Sequence, residues 1–110
     1  TSAGKDALKN WLVQPPETVQ LRNELLLKLF FGEQVPVEVN IEHLEIYKKE
    51  LENKLSAFKK IENELRSIDS LESLYGLITL DHGIRLTESS IEWCDSALKR
   101  LKSPGTKKLK

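Results

Sequence analysis

Residues 44–68 read LEIYKKELENKLSAFKKIENELRSI, and residues 70–101 read SLESLYGLITLDHGIRLTESSIEWCDSALKRL. In the first stretch Leu44, Leu51, Phe58 and Leu65 recur every seven residues. Tyr47, Ile61 and Ile68 fill the interleaved positions, with Lys54 the one polar break. In the second, Leu77, Ile84, Ile91 and Leu98 repeat the pattern, and Leu80, Thr87, Cys94 and Leu101 form the interleaved set. Heptads sustained over about four repeats mark helices that pack along a seam. The spacing predicts one helix from about Asn40 to Ile68 and another from about Ser70 to Leu101, each roughly 40 Å long at about 1.5 Å per residue. Almost nothing separates them, so they fold back as an antiparallel hairpin. A two-helix hairpin leaves a second apolar flank open. Two hairpins closing on each other would make a four-helix dimer core.

Working outward, the other elements are also helical. Thr1 or Ser2 offers a hydroxyl to cap a first helix. Leu8, Trp11 and Leu12 then form an apolar stripe, until Pro15-Pro16 ends it. A second helix is predicted from about Glu17 to Phe31, closed by Gly32. Its run Leu25-Leu26-Leu27-Lys28-Leu29-Phe30-Phe31 is apolar nearly all round, which predicts cover on several sides. Gly32 to Val39 reads as a connector punctuated by Pro36. Asp69 with Glu72 reads as a capping-box start for the last helix. Gly83 inside that helix disfavours it by about 1 kcal/mol relative to Ala and suits close backbone approach. Glu45–Lys49, Glu50–Lys54 and Glu62–Arg66 are i,i+4 pairs in the favourable order, about 0.2–0.5 kcal/mol each. The expected fold class is all-α: two short N-terminal helices plus a long antiparallel helical hairpin, forming a coiled-coil-like homodimer. Residues 1–101 make the domain, and 102–110 a basic, flexible tail.

Composition narrows the function. The 110 residues carry 17 Lys+Arg and 17 Asp+Glu, so the net charge is zero, which is unlike a polycationic nucleic-acid binder. The six positive charges from Lys99 to Lys110 are balanced by no acid in that stretch. They suit the negative end of the helix dipole, or phosphate contact. No apolar run approaches the roughly 20 residues a membrane-spanning helix needs. One cysteine, Cys94, forms no intrachain disulfide and fits a reducing, cytoplasmic setting. A chain that starts at Thr1 and contains no Met reads as a piece of a longer one.

Enzyme signatures are missing. Ala3-Gly4-Lys5-Asp6 lacks the rest of a phosphate-binding loop. His43 and His82 are 39 residues apart, and neither has a second ligand at metal-binding spacing. Asp81 and His82 are helix neighbours that point about 100° apart, so they do not form an orienting pair. Cys94 lies on the heptad seam and reads as a buried thiol. No catalytic residue, cofactor or metal is expected. Trp11, Phe30, Phe31 and Tyr75 are candidates for a pocket that takes a flat aromatic effector, with Arg85 meeting its carboxylate. The same aromatics, and Trp93 with them, equally serve as packing anchors, and Arg85 equally pairs with Asp81. The core and dimer residues expected are Leu44, Leu51, Phe58, Leu65, Leu77, Ile84, Ile91, Trp93 and Leu98.

Two stretches carry a resemblance. One is Thr1-Ser2-Ala3-Gly4-Lys5-Asp6-Ala7-Leu8-Lys9-Asn10-Trp11-Leu12, followed by Pro15-Pro16 and the leucine run ending in Phe30-Phe31. The other is Ile91-Glu92-Trp93-Cys94-Asp95-Ser96-Ala97-Leu98-Lys99-Arg100-Leu101. Together, and in this order, they resemble the C-terminal domain of PadR-like transcriptional regulators, the virulence activator alpha C-terminal domain. The resemblance implies a homodimer that places two winged helix-turn-helix heads on a palindromic operator. DNA contact would then run only through such a head, which these residues do not contain. It also implies that some members bind a small ligand, such as a phenolic acid, near the junction of the two domains. By position, Trp93 matches the family's tryptophan in the last helix, and Phe30 and Phe31 the end of its leucine-run helix. A coiled-coil scaffold or adaptor without effector or DNA role is the alternative.

Overall fold

The computed structural model describes residues 1–16 and 23–103. All regular structure among them is helical: α1 (Ser2–Leu12), α2 (Glu24–Phe30), a 3-10 turn (Gly32–Gln34), α3 (Val37–Arg66) and α4 (Leu71–Lys102). α1 starts where Thr1 caps it, the hydroxyl accepting the Gly4 N–H at 3.1 Å. α2 starts at Glu24, where the Asn23 side chain caps it by accepting the Leu26 N–H at 3.2 Å. Positions 17–22 of the longer helix expected from the sequence lie outside the described residues.

α3 begins at Val37, three residues before the expected Asn40, with Pro36 as its N-cap. Proline suits a helix start, where no intrahelical N–H partner is lost. The β-branched Val37 and Val39 mask that start in the sequence. α3 closes at Arg66 rather than Ile68, and the Ser67 hydroxyl donates to the Glu64 carbonyl at 2.6 Å. The capping box of α4 is real but sits one residue later than Asp69–Glu72. Ser73 N–H donates to the Ser70 hydroxyl at 3.1 Å, and Ser70 N–H to the Ser73 hydroxyl at 3.3 Å. A serine at both positions satisfies two orphan N–H groups at once. The Ser73 hydroxyl also lies 2.7 Å from the Ile68 carbonyl, tying the reversal between the long helices.

α3 and α4 form the antiparallel hairpin, and its seam is the core. Leu44 and Cys94 are fully buried, with Leu51, Ile84 and Leu98 nearly so. Phe58, Leu65, Leu77 and Ile91 are half-buried. Thr87 is also buried, its hydroxyl donating to the Gly83 carbonyl at 2.7 Å, so a polar group enters the seam satisfied. The interleaved positions of α3 leave this seam. Tyr47 is half-buried, Lys54 exposed, and Ile61 and Ile68 are 43% and 54% exposed. Two helices bury one row from each, so the second row of α3 faces outward.

Ion pairs fix the register on one side of the seam. Lys48 meets Asp95, Lys102 meets Glu45 at 3.1 Å, and Lys59 meets Glu88 at 3.8 Å. Glu45 thus pairs across the hairpin, not with Lys49 as its spacing suggested. Lys54 lies over the Phe58 ring, 5.6 Å from its centroid, instead of pairing with Glu50. Glu62–Arg66 forms as expected, at 3.4 Å. Most of these side chains are exposed, and pairs in contact with water contribute little to stability.

α2 and the 3-10 turn are tied to α3 by one buried polar contact. Asn40 is 6% exposed and its amide donates to the Gly32 carbonyl at 2.9 Å. Gly32 has no room for a side chain, since a Cβ there would lie 2.8 Å from that amide. The molecule measures 64 × 31 × 19 Å, with a radius of gyration of 19.9 Å. A compact domain of this length would have about 13 Å.

Candidate assembly surface

Five buried apolar side chains stand against eighteen large exposed ones among the described residues. That ratio follows from the architecture, because a lone hairpin has no third layer. Most of the exposed residues fall into three groups. α1 buries none of its residues, leaving Leu8, Trp11 and Leu12 more than half exposed. α2 turns Leu25 and Leu29 partly inward and leaves Leu26, Leu27 and Phe30 exposed, with Phe31 just beyond. The all-round cover expected for that helix is therefore absent within one chain: the hairpin shields one side only.

The third group is on α4. Leu71, Leu74, Tyr75, Ile78, Leu86 and Trp93 are all exposed. At about 100° per residue they lie opposite the face that buries Ile84, Thr87, Cys94 and Leu98. α4 is thus apolar on two faces. The heptad reading found the inner one and passed over Leu71, Leu74, Ile78 and Leu86. A helical projection carries the missed signal, although His82 and Ser89 interrupt the outer row.

Three grooves border these surfaces. Two flank α2. One of about 240 Å³ is lined by Leu25, Lys28, His43, Ile46, Tyr47 and Glu50, together with Glu24. The other, about 280 Å³, is lined by Asn23, Leu26, Tyr47, Ser89, Ser90 and Trp93. The third lies toward the hairpin turn. It measures about 570 Å³ and runs between Phe58, Ile61 and Leu65 of α3 and Tyr75, Gly76, Thr79, Leu80, His82 and Gly83 of α4. Gly76 and Gly83 shape its floor. A Cβ on Gly83 would stand 3.1 Å from the Phe58 ring, and one on Gly76 3.3 Å from Leu65.

The residues proposed for an effector pocket are not brought together within one chain. Trp11 is 67% exposed on α1. Phe30 and Phe31 stack edge to face at 5.1 Å beside α2. Tyr75 lines the third groove, far along the hairpin from α2. Arg85 donates to Asp81 at 2.9 Å on an exposed turn of α4. None of Trp11, Phe30, Phe31 and Arg85 lines any of the three grooves. Trp93 lies on the outer face of α4, 38% exposed, and borders the groove beside α2.

The chemistry present is that of packing. His43 is half-buried beside Tyr47, and His82 is exposed at the third groove. Among the described residues no three His, Cys, Asp or Glu side chains gather as metal ligands. Burial pushes the Cys94 thiol above its ordinary range, which opposes thiolate formation. The hydrogen bond to Asp95 raises the Lys48 ammonium, against the opposing pull of desolvation. No helix among the described residues is long and apolar enough to cross a membrane.

A long hairpin with one finished seam and one open apolar flank has relatives of known structure and family. The family model described as "Virulence activator alpha C-term" matches residues 21–102. The chain belongs to the virulence activator alpha C-terminal family. Two solved structures share the fold of this family member. The PadR-like transcriptional regulator BC1756 from Bacillus cereus superposes with a TM-score of 0.78 at 19% identity, over 93% of this chain and 60% of that one. The Vibrio cholerae virulence activator AphA gives a TM-score of 0.78 at 23% identity, over 92% of this chain and 62% of that one. The chain therefore spans about three-fifths of each of these proteins. No curated protein matches it by sequence.

Proposed function

We propose that this domain is the dimerisation part of a PadR-like transcriptional regulator that works in the cytoplasm. The observation that carries it is the open apolar flank of a hairpin whose family is that of virulence activator alpha C-terminal domains. A second copy is the simplest way to finish the core, since closed two-fold dimers are the commonest assembly. Such a dimer would hold two winged helix-turn-helix heads at a fixed distance. Operator half-sites about 34–36 Å apart, or a multiple of that, would then select for it. DNA is met only through those heads. The described part of this domain offers charge of both signs, some of it paired across the hairpin.

Effector sensing is the finer part of the proposal. Trp11, Phe30, Phe31, Tyr75 and Arg85 would build a pocket for a small aromatic acid only if a second chain or a head domain completed it. Any such ligand would act by preferring one relative orientation of the heads.

A chimera tests the proposal. Joined to a monomeric winged-helix head, this chain is expected to bind an operator with two half-sites at least about 100-fold more tightly than a single half-site, through the gain of a linked second contact. Equal affinity for the two DNAs, measured by titration at fixed salt, would rule out a dimerising role.

A further inference from the structure

At the groove between α2 and α4 three helices of one chain converge. Asn23 and Leu26 come from the start of α2, Tyr47 from α3, and Ser89, Ser90 and Trp93 from α4. No Asp, Glu, Lys, Arg or His lines it. Its polar groups also have no part in holding the fold. Among the described residues the Tyr47, Ser89 and Ser90 hydroxyls hydrogen-bond to no protein group. Thr79 and Thr87 of the same helix α4 do the opposite, each donating to a carbonyl one turn back, at 3.0 and 2.7 Å. Asn23 uses its side-chain oxygen to cap α2, which leaves the amide N–H groups to donate elsewhere. Tyr47 and Ser90 are half-buried, so two hydroxyls are partly withdrawn from water without a protein partner. Native structures rarely leave polar groups so without a use.

We propose that this groove binds an uncharged monosaccharide, a single ring with hydroxyls around its edge and C–H groups on its faces. The site uses residues of one chain. It is independent of the dimer reading and separate from the residues suggested for an aromatic acid.

Three observations select that chemistry. The lining carries no charge, so a carboxylate, a phosphate or an ammonium would lose water there without gaining a counter-charge. The lining is also rich in hydrogen-bonding groups. Three hydroxyls can donate or accept, and the Asn23 amide nitrogen and the Trp93 indole N–H donate. A ring with a hydroxyl on nearly every carbon matches such a set. A flat aromatic with one or two substituents would leave most of it unmet, and so would an apolar protein surface. Finally, Tyr47 and Trp93 supply aromatic rings on two different helices, against which the C–H face of a sugar can pack. The volume, about 280 Å³, is just below the roughly 300–1,000 Å³ of sites for drug-sized molecules and suits one ring.

Trp93 reports on the site directly. The chain has two tryptophans, and Trp11→Phe leaves Trp93 as the remaining one. α1 buries none of its residues, so this change keeps the fold. D-glucose, D-galactose and D-mannose are each titrated into that full-length variant while Trp93 emission is followed. At least one is expected to shift the emission along a saturating curve, with a dissociation constant at or below about 10 mM, as the modest binding per atom of small neutral ligands allows. Tyr47→Phe and Ser90→Ala each remove a hydroxyl that the fold does not use. Both should keep the urea midpoint of the parent and weaken the bound sugar by roughly tenfold. Ser56→Ala, at an exposed serine of α3 outside the groove, should leave the affinity within about twofold. The 6-phosphate of the bound sugar should bind at least about tenfold more weakly than the sugar. No response to any of the three sugars up to about 100 mM would overturn the proposal. Unchanged affinity in both hydroxyl variants would overturn it too, as would tighter binding of the 6-phosphate. If one variant loses stability, the other, on a different helix, decides the outcome. Sedimentation of the same samples reads the oligomeric state separately, so failure here leaves the dimer reading standing.

Discussion

Leu44→Ala is expected to destabilise the fold by about 2–5 kcal/mol, the range for removing a fully enclosed leucine side chain. Leu44 is 0% exposed and sits in a seam with few fully buried apolar residues. A thin core has little freedom to collapse around the space left, so the larger half of the range is expected. Stabilities of small domains are about 5–15 kcal/mol, so one substitution removes a large share. Ile46, half a turn away and 52% exposed, provides the contrast, and Ile46→Ala should shift stability by less than about 1 kcal/mol. Urea unfolding at one fixed protein concentration measures both, since folding coupled to assembly depends on concentration. A loss under about 1 kcal/mol for Leu44→Ala would place the core elsewhere.

Asn40→Ala should weaken the fold by about 1–3 kcal/mol, the penalty for leaving a buried polar group without its partner. The amide holds the Gly32 carbonyl at 2.9 Å and links the 3-10 turn after α2 to the start of α3. Gly32→Ala should act through the same contact. Its Cβ would meet the Asn40 amide at 2.8–3.0 Å and displace it from the carbonyl. Because both changes break one bond, the double variant should lose less than the sum of the singles. Hydrogen exchange adds a local readout: the α2 amides should lose protection in Asn40→Ala before those in the middle of α3. Additive losses, or unchanged α2 protection, would show that Asn40 does not anchor α2.

The hairpin was legible because its signal is repeated. Leu44 to Leu65 and Leu77 to Leu98 each restate the same spacing, so single exceptions such as Gly83 do not obscure it. Element ends were less legible where one local contact decides them. Asn23 starts α2 by capping Leu26, and Ser70 with Ser73 displaces the box expected at Asp69 and Glu72. Acidic residues and serines offer similar caps in the sequence, and only the path of the reversal chooses between them. The open flank was legible as a consequence of having two helices, but its location was not. That depends on which side the cross-hairpin pairs Lys48–Asp95 and Lys59–Glu88 occupy, and partners so far apart in sequence give no local signal. Residue type alone does not bring aromatic side chains together. Trp11, Phe30, Phe31 and Tyr75 share chemistry, yet the fold distributes them over separate elements.

In the proposed dimer a second copy closes the open apolar flank of the hairpin. Sedimentation equilibrium of the 110-residue chain at micromolar concentration tests this most directly. The expected result is one species of twice the 12.6 kDa chain mass, with the helical content of the hairpin retained. A well-folded species at the mass of one chain would contradict it.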